Sequence, residues 1–257
     1  MDQYKHSWAA MYEKDSHRVE KLRDDQLEAF DTEYVNDRRW IPVKRCIDRD
    51  FPGGRFTFLD VGGGKGVFAD RILANYPNSR GVLLDNSRLL LNRNQPNIRK
   101  RLVLNSAENL RCFSDENFDL VFFNWLLHHL VARSSYRQSR ENMNHVLRSA
   151  VTVLTQRGRV SIYENMYNGL VLDGAPSWIV YQLTSARQLA ELVRKAGANT
   201  AGTGVCFLSY RQWCRTVKQN GLRILDYTND IVWSIPWTWN VLLHIGHIRC
   251  GHLWLGC

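Results

Sequence analysis

Leu59-Asp60-Val61-Gly62-Gly63-Gly64-Lys65-Gly66 is the stretch whose reading decides the fold. Residues 56–61 form a short apolar run that closes on Asp and Gly, which predicts a buried strand. Residues 66–76 then carry Val67, Phe68, Ile72 and Leu73 at helical spacing. The turn between them is rich in glycine, which allows tight backbone angles and close approach of a ligand. The helix start leaves N–H groups unpaired, and these favour polar or anionic ligand groups. Beyond the C-terminal ends of strands is where ligands bind in an open parallel sheet.

The same alternation continues outward. Residues 81–85 read as a second strand, 87–94 as a helix, 101–105 as a weaker third strand and 118–123 as a fourth. A helix near 136–154 leads to a fifth strand at 158–163. Strands alternating with helices at this interval imply βαβ units and a parallel sheet, and their continuous apolar runs imply helices on both faces. From about 165 the alternation stops. Gly169, Gly174-Ala175-Pro176 and Gly197 surround a helical stretch at 185–196, so 165–205 reads as an insertion over the sheet edge. A helix at 210–220 and a strand at 222–227 follow. Upstream, residues 1–50 read as two or three helices, with Ile41-Pro42 as a break or helix start and Pro52-Gly53-Gly54 as punctuation. The expected organisation is a helical N-terminal cap over 1–52 and an α/β domain over 53–257.

Two ligand classes compete for the glycine turn. Gly64, Gly66 and Ala69 satisfy a dinucleotide pattern. Asp60 points elsewhere, because a carboxylate at the strand end repels a pyrophosphate and attracts an ammonium. Asp85, closing the second strand, can accept both hydroxyls of a ribose, which suits either ligand.

With Asp60–Gly66 spelling D-x-G-x-G-x-G and Asp85 at the next strand end, the chain resembles class I S-adenosylmethionine-dependent methyltransferases. Asn105-Ser106-Ala107-Glu108-Asn109-Leu110 resembles that family's adenine-approaching motif, with Ser106 in place of the commoner Asp. Asn124-Trp125-Leu126-Leu127-His128-His129-Leu130 resembles the loop after the fourth strand in ubiquinone-type and other small-molecule members. The turn before the fifth strand keeps only Gly158 of the usual pair, and Asn220-Gly221-Leu222 resembles the turn into the last strands. The match covers about 55–230. It implies a Rossmann-like sheet of seven strands with the last antiparallel, S-adenosyl-L-methionine as cofactor and S-adenosyl-L-homocysteine as product. It also implies cofactor contacts by Asp60, Gly62, Gly63, Gly64, Gly66, Asp85, Asn86, Ser106, Ala107, Asn124 and Trp125. The expected reaction is direct displacement of the methyl group onto an O, N or C nucleophile of a small metabolite. An RNA or protein acceptor, or a cofactor-binding subunit without activity, are the alternatives.

His128 and His129 are candidate general bases, since a His of ordinary pKa titrates near neutrality. Glu164, ending the fifth strand, is a candidate for orienting an amine or hydroxyl, or for capping the next helix. Trp8, Tyr12, Trp40, Tyr167, Trp178 and Tyr181 are expected to select a partly apolar acceptor. His244, His247, Cys250, His252 and Cys257 are zinc-ligand types without zinc spacing, and the apolar residues among them suit an edge strand or packed helix better. Trp233, Trp237, Trp239 and Trp254 read as core or lid, or as an interfacial membrane contact. Arg133, Arg137 and Arg140 lie at helical spacing and read as one basic face.

Composition sets the outer limits. The chain has 257 residues, 44% hydrophobic and 23% charged, with only 17 Gly and 6 Pro, which excludes disordered and collagen-like classes. Its 34 basic and 25 acidic residues give a net charge of +9, scattered in pairs and triplets such as Arg99-Lys100-Arg101. That balance favours an anionic partner such as nucleic acid, phosphate or a membrane surface, but most of it reads as solvated surface. Six cysteines without regular spacing suit reduced thiols, and no signal or transmembrane segment is legible. A cytoplasmic protein acting on a small molecule is expected, with nucleic acid less favoured and a homodimer left open.

Overall fold

The computed structural model describes residues 19–22, 26, 35–113, 117–133, 135–233 and 235–257, with backbone alone at 231 and 232. Seven strands form one sheet: β1 (Thr57–Val61), β2 (Arg80–Asp85), β3 (Lys100–Leu104), β4 (Phe118–Asn124), β5 (Leu154–Gly169), β6 (Arg223–Trp233) and β7 (Ile245–Gly256). Their order is β3-β2-β1-β4-β5-β7-β6. The first five pair in parallel, while β7 lies antiparallel between β5 and β6. This is the Rossmann-like α/β fold expected, including the antiparallel last strand. The strand order reverses between β1 and β4, so the β1 turn opens at the crevice where ligands bind in such sheets.

Alternating side chains divide between two cores. On one face Leu59, Val61, Val121, Phe123, Val160 and Ile162 pack under helix α4 (Tyr136–Thr152) and α7 (Tyr210–Gln219). On the other, Phe58, Leu83, Leu120, Phe122 and Trp254 pack under α1 (Asp37–Asp50) and α2 (Val67–Asn75). Helices α1, α4 and α7 each start where a polar side chain satisfies a free N–H. Asn36 accepts from Arg39 N before α1, Ser135 from Gln138 N before α4, and Ser209 forms a capping box with Gln212 before α7.

Several expected boundaries move. Ile41-Pro42 neither breaks nor starts a helix: Pro42 is buried inside α1, whose Trp40, Val43 and Ile47 join the core and outweigh the lost hydrogen bond. The 87–94 helix shrinks to α3 (Arg88–Leu91). The fifth strand does not stop at Tyr163, because β7 pairs with it from Arg159 to Gly169. The excursion that follows therefore begins after 169. It holds α5 (Ala175–Ser185), a short 3-10 turn, and α6 (Ala190–Lys195). The tail is not an edge strand: after α8 (Trp237–Leu242), β7 enters the sheet interior and β6 takes the edge. Trp254 is core, donating from Nε1 to Asp50 at 2.9 Å. The same Asp50 accepts from Arg159 Nε at 2.7 Å and Arg49 Nε at 2.7 Å, clasping α1, β5 and β7. Burial works against its ionisation, but these donors prevail and hold its pKa down at about 2.

Arg133, Arg137 and Arg140 do not form one face. Arg133 precedes α4 and pairs with Glu20, while Arg140 donates to Thr216 on α7. Trp8 and Tyr12 lie outside the described residues. No described helix is long and apolar enough to cross a membrane.

Candidate active site

The turn after β1 is built by its glycines. Gly62, Gly64 and Gly66 have φ of +72°, +55° and +83°, which side-chain-bearing residues rarely adopt. A Cβ on Gly62 would lie 2.8 Å from Leu126, and one on Gly63 2.6 Å from the Asp60 carboxylate. The turn is tied to β2: Gly62 N donates to Leu84 O at 2.7 Å and Gly64 N to Asp85 Oδ2 at 2.9 Å. Asp85 Oδ1 accepts from Ser87 N at 2.8 Å, so both carboxylate oxygens are oriented by backbone.

Above these strand ends lies a cavity of about 730 Å³. Asp60, Gly62, Gly63, Gly64, Asp85 and Asn86 line it, as do Ser106, Ala107, Asn124, Trp125, His128 and His129. These are twelve of the fourteen residues expected at the site; Gly66 and Glu164 are the other two. Gly66 is off the wall, facing Asn94 and Lys100, and its N–H closes the turn onto Gly63 O. Glu164 is also off the wall. It lies fully buried beneath the loop after β4, where its Oε1 accepts from Leu127 N at 2.8 Å and its Oε2 meets His128 Nδ1 at 2.6 Å. Glu164 is therefore not poised to orient an acceptor amine or hydroxyl directly: strand β5 turns it inward, and it meets the cavity wall through His128.

Electrostatics at the floor are unusual. Asp60 is buried, and its Oδ2 has no hydrogen-bond partner. Burial, reinforced by the Asp85 charge, pushes its pKa up to about 7. Both polar atoms of Asn124 are likewise buried without a partner. Unsatisfied buried polar atoms are costly, and a ligand donor at Asp60 removes the cost. Burial also lowers His128 to about 3 and raises Glu164 to about 8. His129 is driven below its ordinary range by burial and by His128. Both imidazoles are therefore neutral near pH 7, so they do not titrate at neutrality as the sequence reading expected of a His.

The far half of the cavity is apolar. Tyr167 from β5 stacks on Phe207 at 4.4 Å, and Phe207 on His128 at 4.5 Å. Val180, Val205, Trp239 and Ile248 continue the wall. Phe207 escapes the sequence reading, since a Cys-Phe-Leu run after an irregular segment carries no periodic signal. Two backbone bonds, Cys206 N to His128 O and Tyr167 N to Leu208 O, place it there. Of the other aromatic residues expected at the acceptor, Tyr167 lines the cavity. Trp40 is core, Tyr181 is buried with its hydroxyl on Ala132 O, and Trp178 is exposed. Trp125 has φ +51°, stacks on Tyr163 at 5.0 Å and donates from Nε1 to Asn165. Among the zinc-ligand types, His252 meets Ser161 inside the sheet and His244 accepts backbone N–H groups; no metal-binding cluster occurs among the described residues.

No curated protein matches the chain. Among solved structures, LepI in complex with SAM is 14% identical with a TM-score of 0.53, covering 84% of this chain and 46% of that one. Rickettsia typhi PKMT2 in complex with AdoHcy is 15% identical with a TM-score of 0.54, covering 86% and 53%. The mycolic acid cyclopropane synthase CmaA1, complexed with SAH and CTAB, is 18% identical with a TM-score of 0.54, covering 82% and 83%. The chain spans about half the length of LepI and PKMT2. These are likenesses of fold. Residues 59–162, from β1 into β5, match the family model described as a methyltransferase domain.

Proposed function

We propose that the chain binds S-adenosylmethionine along residues 60–66 and directs its methyl group to a nucleophile of a small, largely apolar metabolite. The observation that carries this reading is the buried Asp60 Oδ2, which lacks a partner on the wall of a cavity of about 730 Å³. An ammonium group supplies the missing donor, and a pyrophosphate does not. When bound, the cofactor supplies an electrophilic methyl group on a sulfonium, open to direct displacement.

The chain's residues then have distinct tasks. Asp60 holds the amino end, and Asp85, with both oxygens already aimed by backbone N–H groups, holds the ribose. Ser106 and Ala107 meet the adenine, and the open Gly62–Gly64 backbone admits the ligand closely. Asn124 orients polar groups at the junction of the two cavity halves. Alignment of the acceptor supplies much of the rate, since positioning alone is worth several kcal/mol. In this scheme His128 is the proton acceptor. Once Glu164 ionises, at about pH 8, its carboxylate holds the His128 proton on Nδ1 and leaves the Nε2 lone pair to accept one. Glu164 is a positioning residue in this scheme. The apolar half built by Tyr167, Phe207, Val180 and Ile248 supports a metabolite acceptor over RNA or protein.

Calorimetry with S-adenosylhomocysteine tests the reading. Micromolar binding is expected, weakened about ten- to a hundredfold by Asp85→Ala, the cost of lost charge-assisted bonds. A folded chain that ignores this ligand and takes up NAD overturns it. A labelled-methyl assay with fractionated metabolites against tRNA then separates the acceptor classes.

A further inference from the structure

Exposed apolar side chains concentrate beside two parts of the cavity wall. Trp239 on α8 and Leu243 just after it line the cavity, while Trp237, Val241 and Leu242 are 75%, 64% and 70% exposed. Beside it runs the turn after β5, where Leu170, Val171 and Leu172 are also exposed. His244 staples the two together: its carbonyl accepts from Leu170 N at 2.9 Å, and its Nε2 accepts from Val171 N at 3.1 Å and Leu172 N at 2.8 Å. This is a held surface, not a loose loop. From residue 231 to 248 the sequence has no Asp, Glu, Lys or Arg. The single acid in the neighbouring turn, Asp173, is occupied by the Ser209 hydroxyl.

The α6 region supplies the second part of that wall. Val193 and Ala196 line the cavity, and Leu189 and Leu192 are exposed. Here cations outnumber acids: Arg187 and Arg194 are exposed, and the one acid of the stretch, Glu191, pairs with Lys195. Isolated exposed apolar residues are ordinary, but two clusters flanking residues that line one cavity mark an interaction surface. Uncharged Trp and Leu beside exposed Arg, on a chain of net charge +9, match the interface of an anionic bilayer. Arg side chains reach up to headgroups while the apolar residues enter the acyl boundary.

We propose that the cavity mouth docks on an anionic membrane surface, with α8 and the turn at 170–172 inserted and Arg187 and Arg194 on the headgroups. A further consequence, which rests on the methyl-transfer reading, is that the acceptor enters the apolar half of the cavity from the lipid phase.

The test is co-sedimentation of the full chain with vesicles of phosphatidylcholine alone and of phosphatidylcholine mixed with phosphatidylglycerol. The expected result is retention by the mixed vesicles, weakening as salt rises, and far less by the neutral ones. Trp237→Ser with Leu242→Ser should reduce binding roughly tenfold or more. Arg187→Gln with Arg194→Gln should erase the preference for anionic lipid. Ile98→Ser, which removes a fully exposed apolar residue from the turn before β3, should change nothing. Melting curves confirm that each variant is folded. None of these readouts uses methyl transfer, so a failed activity assay leaves docking intact. The proposal is overturned if folded wild-type chain does not sediment, or if the Trp237/Leu242 variant binds like wild type. It is equally overturned if the lipid-free chain is a dimer that this variant splits, since the patch then belongs to a second copy.

Discussion

Asp60 combines two properties that pull against each other: it is buried, and one of its oxygens has no partner. With its pKa near 7, an ammonium ligand must find it ionised. Affinity for S-adenosylhomocysteine should therefore fall about tenfold per pH unit below pH 7 and level off above it. Binding at pH 6.5 should release a proton, which calorimetry in buffers of different ionisation enthalpy detects. Asp60→Asn should lose affinity at least tenfold, yet raise the melting temperature of the ligand-free chain at pH 8 by removing a buried uncompensated charge. A variant less stable than wild type at that pH would contradict this. For the dyad, Glu164→Gln should lower kcat about a hundredfold with little change in cofactor affinity, if His128 accepts the proton. Proximity is the main contribution if kcat survives. The paired histidines and the acid after the fifth strand were legible as chemistry-bearing residues. Their relation was not, because residue types at 128 and 164 do not reveal that β5 turns Glu164 under the loop.

Elements are held by features a pattern search does not see. Gly81 looks like an ordinary strand glycine, yet a Cβ there would come within 2.2 Å of the Phe58 ring. Gly81→Val should destabilise by about 1–3 kcal/mol through overpacking, read as a lower denaturation midpoint with an unchanged slope. The Asp50 clasp is a second case. Asp50→Ala leaves the buried Trp254 Nε1 and Arg159 Nε without their acceptor and should cost about 2 kcal/mol. Because its pKa is depressed, this contribution is present above pH 4 and lost as pH falls toward 2. The β1, β2 and β4 strands were legible from apolar runs and Gly or Asp punctuation. The length of β5 was not, since its extension to Gly169 is dictated by pairing with residues some eighty positions later. Pro42 misled for the same reason: tertiary burial of α1 overrode a local breaker.

At the scale of the molecule, the buried titratable groups set an opposed pH response. Asp60 and Glu164 have raised pKa values, so their contribution to stability is full at low pH and is lost as pH rises to about 7 and 8. His128 and His252 have lowered values near 3, so theirs appears as pH rises from about 3 to 6.5. Above pH 6.5 only the acids still titrate. Ligand-free chain should thus be most stable in mildly acidic solution and lose melting temperature from pH 6.5 to 8, with S-adenosylhomocysteine reducing that loss by pairing Asp60. A flat profile over this range would refute the assignment. The sheet's seven strands followed from the βαβ alternation together with family resemblance. The apolar rim did not follow, because residues 170–172 are brought beside 237–242 by His244, whose carbonyl and ring Nε2 accept their backbone N–H groups.

The placement of β7 between β5 and β6 carries a consequence for biogenesis. As the chain leaves the ribosome, β6 emerges with no neighbour to join, and β5 waits with one flank bare until residues 245–256 arrive. Nascent chains stalled before Ile245 would present two open flanks at once, the arrangement that recruits chaperones and seeds inclusion bodies.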